Sequence, residues 1–386
     1  MRKLTAILLI IFVIANCAGP EYETFEYRAG NLDLEQTLAY KDLGIDITGT
    51  LCLEAGGEII PAQSERISMF MVRVWWLANQ SAGETVEYTV RPDLECSETD
   101  YVWQRTGDQS IVLEFEGSPI IQYEHPVYDP ANIDETMKAF HHVLSPVTGQ
   151  LITKGPGGQY SHHRGIFFGY NQVSIGDRVL DFWHNRNGER QQHAEFISEF
   201  SGPVFGGHKA MINWVAPDDE IWFEEHRDLR AHLHTDGSYL IDFTSEMYAI
   251  AGLIRLGGDL QHAGVQFRAA QYVADNPENT RFIRPADWAH FPQDEELGEE
   301  DRINLPWNAM QFNIEGNTYT VVYMSHPNNP GRNSEMSERK YGRFGEFFPA
   351  QQSEGAPLIF KYRFWVVPGE SPSVDEIERM YRIYAR

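Results

Sequence analysis

The segment Leu358-Ile-Phe-Lys-Tyr-Arg-Phe-Trp-Val-Val367 constrains the fold more than any other part of the chain. Ten residues dominated by β-branched and aromatic side chains suit the pleated, half-buried surface of a strand far better than a helix. The same texture returns at 68–76, 110–115, 165–169 and 318–323, and the segments are bounded by Gly, Pro, Asn and Asp. Thr235-Asp236-Gly237 and Glu315-Gly316-Asn317 separate alternating stretches and predict hairpin turns. Helix signals are few. The best is 373–385, where Ser373 can cap and Asp375 and Glu376 favour the first turn; a weaker one lies near 132–139. Many strands without intervening helices predict an all-β fold, a large antiparallel sandwich closed by a C-terminal helix.

Charge and leader narrow the compartment. A formal net charge of −25 excludes nucleic acid, whose backbone needs clustered Lys and Arg to displace counterions. It also disfavours an anionic membrane surface. Arg2 and Lys3 precede an apolar run over 4–15 that ends at Cys17, the pattern of a secretory signal with a lipidation cysteine. That run is shorter than the roughly 20 residues of a membrane span. The expectation is therefore an exported, lipid-anchored protein of the periplasm or outer membrane, touching membrane only through Cys17. After Cys17 only Cys52 and Cys96 remain, and in an oxidising compartment they predict a disulfide. The expected organisation is a signal over 1–17, a tether over 18–44, N-terminal sandwich strands over 45–125 and a main β domain over 126–386.

Candidate chemistry concentrates in polar clusters beside these strands. Tyr160-Ser161-His162-His163-Arg164-Gly165 places two imidazoles, which exchange protons near neutral pH, next to a fixed cation. In a regular strand His162 and His163 would face opposite ways, so they can converge only in a loop or bulge, which Gly155, Gly157 and Gly158 allow. Asp181-Phe182-Trp183-His184, with His193 soon after, joins acid, aromatics and histidines in the manner of a sugar site. By parity Glu225 and Arg227 continue the apolar face of their strand and must be paired, as an ion pair or as catalytic groups. His232 and His234 fall on the opposite, solvated face. His262, Gly264, Gln266 and Arg268 line up along one face as the floor of a polar cleft. The turn His326-Pro327-Asn328-Asn329-Pro330 adds a histidine and amides.

Several of these segments together carry a resemblance. Ser161-His-His-Arg-Gly-Ile-Phe-Phe-Gly169 followed by Asp181-Phe-Trp183 resembles the PmoA-like family, a domain of unknown function labelled methane oxygenase. Glu225 with Arg227, Gly264-Val-Gln-Phe-Arg268, Ser325-His-Pro-Asn-Asn329, Phe347-Phe-Pro-Ala350 and Tyr362-Arg-Phe-Trp-Val-Val367 continue it in order. Methane oxidation does not suit the residues, since no membrane span and no dense set of soft copper ligands follows the leader. What the resemblance implies is an exported β-supersandwich similar to the galactose-mutarotase-like folds of epimerases, glycosidases and polysaccharide lyases.

The resulting expectation is a carbohydrate-active enzyme of glycan catabolism using His/Arg/Glu acid-base chemistry for hydrolysis, β-elimination or epimerisation. His162 or His163 moves a proton, Arg164 and Arg268 hold a carboxylate or oxyanion, and Glu225 or His193 is the second acid-base group. Trp183 stacks on a ring, while Asp181, Arg227, His262, Gln266, His326 and Asn328 bind substrate. A variant uses a divalent metal on some of His162, His163, His193, His262 and His326. The alternative of another class is a non-catalytic periplasmic glycan-binding lipoprotein.

Overall fold

The computed structural model describes residues 22–386 except 97, 98, 235, 332, 353 and 354. The predicted signal and Cys17 lie outside those residues. The chain is all-β, built from large antiparallel sheets with a short C-terminal helix.

Two eight-stranded sheets form the body. The first, here the site sheet, has the spatial order Glu335–Arg339, Arg343–Phe347, Ala263–Arg268, Gly165–Tyr170, Phe140–Val143, Ser118–Glu124, Ser110–Phe115 and Tyr101–Arg105. The second runs Arg190–Phe200, Gly206–Val215, Ile221–Leu233, Tyr239–Ala249, Leu358–Pro368, Asn317–Ser325, Trp307–Ile314 and Arg281–Ile283. Alternation does the assembling. Ile166, Phe168, Val265, Phe267 and Phe344 of the site sheet share one buried cluster with Ile212, Trp214, Phe243, Val321 and Phe364 of the other. The opposite face of the second sheet buries Trp307, Val322 and Trp365 against Ile377 and Met380 of the helix Val374–Tyr384. That helix starts as predicted, with Ser373 and Glu376 forming a reciprocal capping box. The weaker helix signal shrinks to a single turn, Ile133–Thr136.

A separate six-stranded sheet holds Thr24–Arg28, Leu34–Leu43, Gly49–Ala55, Glu58–Ser68, Met71–Gln80 and Thr85–Arg91 around its own core of Leu53, Val74, Trp76 and Tyr88. Cys52 and Cys96 are joined, as expected, tying the end of this unit back to its centre. The strands on either side of residue 125 share the site sheet, so sheet membership divides the chain between Arg91 and Tyr101 instead.

The N-terminal sheet docks on the second body sheet. Gln63 Oε1 accepts from the backbone N–H groups of Val204 and Phe205, and Arg230 grips Glu65. The parity argument fails for His232, which is buried at 1% exposure rather than solvated and lies across from Leu240, in the cluster packed on the C-terminal helix. A strand face counts as solvent only if no other element covers it, and sequence alternation cannot show the cover.

Candidate active site

The outer face of the site sheet, opposite the main core, carries a pocket of about 460 Å³ lined by Tyr160, His162, His163, His184, Arg186, Gln261, His262, Arg339 and Tyr341. Four separate chain segments meet there. Glycine makes the approach possible. Gly165 has φ +49 and a Cβ there would sit 1.9 Å from the His141 carbonyl oxygen. Gly264 has φ +88 and meets the Glu346 carbonyl at the same 1.9 Å. No side chain fits at either position without moving a neighbouring strand.

His162 and His163 lie in the loop before Gly165–Tyr170, and both rings turn toward the pocket, 4.3 Å apart between centroids. The convergence that a regular strand forbids is realised because this segment is irregular. Beneath them Phe140, Phe167 and Trp183 form a small buried cluster, with His163 5.4 Å from Trp183. Burial, reinforced by Lys138 among the neighbouring charges, pushes the His162 imidazolium down to about 2. His163 is also driven well below its ordinary value, by burial first and then by Arg343. Both rings are neutral at physiological pH.

Opposite them stand two Asp–His pairs with the same three-residue spacing. Asp181 Oδ1 accepts from the backbone N–H groups of Trp183 and His184, and its Oδ2 lies 2.7 Å from His184 Nδ1. Asp259 Oδ1 accepts from the Gln261 N–H and lies 2.9 Å from His262 Nδ1. Burial works against each carboxylate, yet hydrogen bonds from the histidine and the turn amides hold both below the usual range. An ionised carboxylate only accepts, so Nδ1 carries the hydrogen and Nε2 is left as the basic nitrogen. The rings of His184 and His262 are 5.0 Å apart, and His162 is 4.5 Å from His184. Two oriented imidazoles in one cavity can take a proton from one atom of a substrate and deliver one to another.

A family model for a family of unknown function, DUF6807, matches residues 110–382. The chain belongs to this family. The match takes in the second body sheet, the site sheet apart from its edge strand Tyr101–Arg105, the pocket and most of the C-terminal helix, and it leaves out the N-terminal sheet. No curated protein matches the chain.

Within the DUF6807 region the other predicted residues separate into distinct settings. Arg164 is fully buried and donates to the carbonyls of Ser161, Asp134 and Glu135, so it fastens the loop. Arg268 is also fully buried; it donates to the carbonyls of Ala269 and Tyr341, with Tyr341 lying 5.2 Å from its guanidinium. Gln266 acts at one remove, its Oε1 accepting from Arg343 Nη1 at 2.8 Å. Trp183 has no exposed surface and forms floor rather than a stacking platform.

The remainder lie elsewhere. Glu225 and Arg227 form a two-bond pair in the main core at 2.8 and 2.9 Å, where Trp214 Nε1 also donates to Glu225. His193 meets Tyr123, His125 and Phe196. His326 faces Tyr384, and Asn328 is exposed in the turn, its N–H donating to His326 Nδ1. The five histidines of the metal variant thus fall in three places, and among the described residues no three His, Cys, Asp or Glu groups are arranged to hold a metal ion.

Sequence reasoning gave roles to Asp181 and His262, quoted Tyr160 and His184 in its motifs without giving them one, and missed Asp259 and Tyr341. A usable signal existed: Asp-x-x-His occurs as Asp181-Phe-Trp-His184 and again as Asp259-Leu-Gln-His262. A larger groove of about 700 Å³ runs between the N-terminal sheet and the second body sheet. Most of its arginines are matched within the protein, Arg73 with Asp42, Arg230 with Asp228 and Glu65, and Arg363 with Asp242. The histidine pocket is the site with unspent chemistry.

Proposed function

We propose that this protein is an exported carbohydrate-active enzyme of glycan catabolism that works by histidine acid-base chemistry in the pocket around His184 and His262. The observation that carries this reading is the pair of Asp–His units with rings 5.0 Å apart in one cavity. A cavity of about 460 Å³ accommodates one or two sugar rings. Asp181 and Asp259 fix the tautomers, so one Nε2 removes a proton from a ring C–H or hydroxyl while the other imidazole, once protonated, returns one to the departing or re-forming bond. His162 and His163, kept neutral by burial, bind hydroxyls instead of titrating. This assignment moves the second acid-base role from Glu225 and His193 to the two aspartate-backed histidines.

The leader and Cys17 support a lipid-anchored periplasmic or outer-membrane location. The likeness to PmoA-like sequences and to galactose-mutarotase-like supersandwiches supports a saccharide substrate and hydrolysis, elimination or epimerisation. The test is mass spectrometry of oligosaccharide panels incubated with the full chain in deuterated water. A changed mass or incorporated deuterium that disappears in His184→Ala and in His262→Ala is the expected result. Saturable saccharide binding with no product, equal in both variants, would replace this reading with that of a glycan-binding lipoprotein.

A further inference from the structure

The pocket is backed by four buried basic side chains. Lys138, with 0% exposure, donates to the Trp183 carbonyl at 2.5 Å. Lys154 donates to the carbonyls of Gly155, Tyr160 and His163. Arg343, also at 0%, binds the Tyr341 hydroxyl, Gln266 Oε1 and Ser337 Oγ. Arg268 has carbonyl partners alone. Among the described residues none of these four forms an ion pair, and no Asp or Glu lines the pocket itself. In a chain of net charge −25 this local excess runs against the composition. A lysine can answer burial by losing its proton, but a guanidinium keeps its charge, so Arg268 and Arg343 are the two groups that call for a counter-ion.

Arg268 identifies what kind. Elsewhere the protein grips carboxylates with one guanidinium edge, Nε and Nη2 together. Arg227 holds Glu225 that way, Arg284 holds Glu338, Arg230 holds Asp228 and Arg363 holds Asp242. On Arg268 that same edge is buried and has no hydrogen-bond partner. Both ring nitrogens of His163 and Nε1 of Trp183 are likewise unpartnered and buried. Parallel N–H groups at the spacing of two carboxylate oxygens are the standard receptor for that group.

We propose that the pocket recognises a carboxylate-bearing saccharide, whose carboxylate passes Tyr341 to reach the Nε/Nη2 edge of Arg268, which lies behind the pocket lining with Lys154 and Arg343. This rests on the saccharide reading above and specifies its substrate class. Tyr341, which covers the guanidinium and lines the pocket, would contact the ring carrying that carboxylate.

Calorimetric titration of the full chain with D-glucuronate, its methyl ester and D-glucose tests the charge, because the ester keeps the ring and the carbonyl but exchanges the negative charge for a methyl group. Glucuronate is expected to bind about tenfold or more tightly than ester or glucose, as a charge-assisted contact requires. Arg268→Gln should abolish that preference and Arg268→Lys should restore part of it. Should either variant fail to fold, the acid-against-ester comparison on the unsubstituted protein still decides. Equal binding of acid, ester and glucose would overturn the carboxylate inference and leave the saccharide reading standing. Binding of acetate or inorganic phosphate without any saccharide would uphold the anion site and overturn the saccharide reading. No binding by glucuronate, acetate or phosphate would overturn the inference outright.

Discussion

Two regions of this molecule bury arginine in opposite ways. In the main core Arg227 faces Glu225, and beside the second body sheet Arg284 faces Glu338; each pair has carboxylate oxygens on the same guanidinium edge and almost no exposure. On the outer face of the site sheet, Arg268 and Arg343 are equally buried but meet carbonyls, an amide and hydroxyls. The first arrangement is complete within the chain, so its role is structural. The second spends desolvation energy on charges without a partner, which a folding chain retains only where something outside it supplies the partner. Burial and residue type are the same in the two regions. The difference lies in which element packs opposite.

The largest expected effect comes from breaking a complete pair. Glu225→Gln leaves Arg227 charged in the core and replaces one of the two oxygens that Arg227 and Trp214 share with an amide NH2, so stability should fall by about 3–5 kcal/mol. Urea unfolding followed by far-UV circular dichroism measures it. A loss under about 1 kcal/mol would mean that the core pair is as dispensable as an exposed one.

That contrast also explains what could be read in the chain beforehand. Residues 110–115 and 358–367 declare themselves as strands because continuous buried runs, over 111–113 and 362–367, fill them with apolar, largely β-branched and aromatic residues that composition reveals. Glu225 and Arg227 were legible as a pair because parity places both on an apolar face two residues apart. The convergence of His162 and His163 was legible as a condition, since glycines before them release the strand geometry. The pocket as a whole was not. Asp259 and Tyr341 come to it from turns and Arg343 backs it from a strand, all distant in sequence from His162, and no periodicity records that meeting. His193 illustrates the converse: close to Trp183 in sequence, it starts a strand of the other sheet and finishes beside Tyr123.

A second way to sharpen the comparison uses pH. Burial, followed by the charges of Arg268 and Arg164 against the weaker pull of Glu135, lowers the Lys154 ammonium to about 7. The Tyr160 and His163 carbonyls are its other neighbours. The folded value lies below that of the unfolded chain, so between about 7 and 10.5 the unfolded state holds the extra proton. Stability should therefore rise with pH across that window, by at most about 1.4 kcal/mol per unit from this one group. Below pH 7 both states are protonated and its contribution to the slope vanishes. Urea midpoints at pH 7, 8 and 9 should climb in the natural chain relative to Lys154→Met. Parallel profiles would show that Lys154 is compensated after all. Bound glucuronate should flatten the difference, because an adjacent carboxylate keeps the ammonium charged.

The smallest expected effect is the most telling. Arg268→Gln removes a buried guanidinium that has only carbonyl partners, and the amide can still donate to the Tyr341 or Ala269 carbonyl. Lost hydrogen bonds cost stability while the removed desolvation returns it, so the net change should lie within about 1 kcal/mol of zero. The same substitution at Arg227 would strand Glu225 and cost several times more, about 3–5 kcal/mol. Measuring both in one urea series separates the two kinds of arginine without a substrate. If Arg268→Gln proves as damaging as Arg227→Gln, Arg268 serves the fold and the pocket loses its receptor. If it folds with unchanged stability, the guanidinium is held in place for a ligand, since the fold itself gains nothing from its charge.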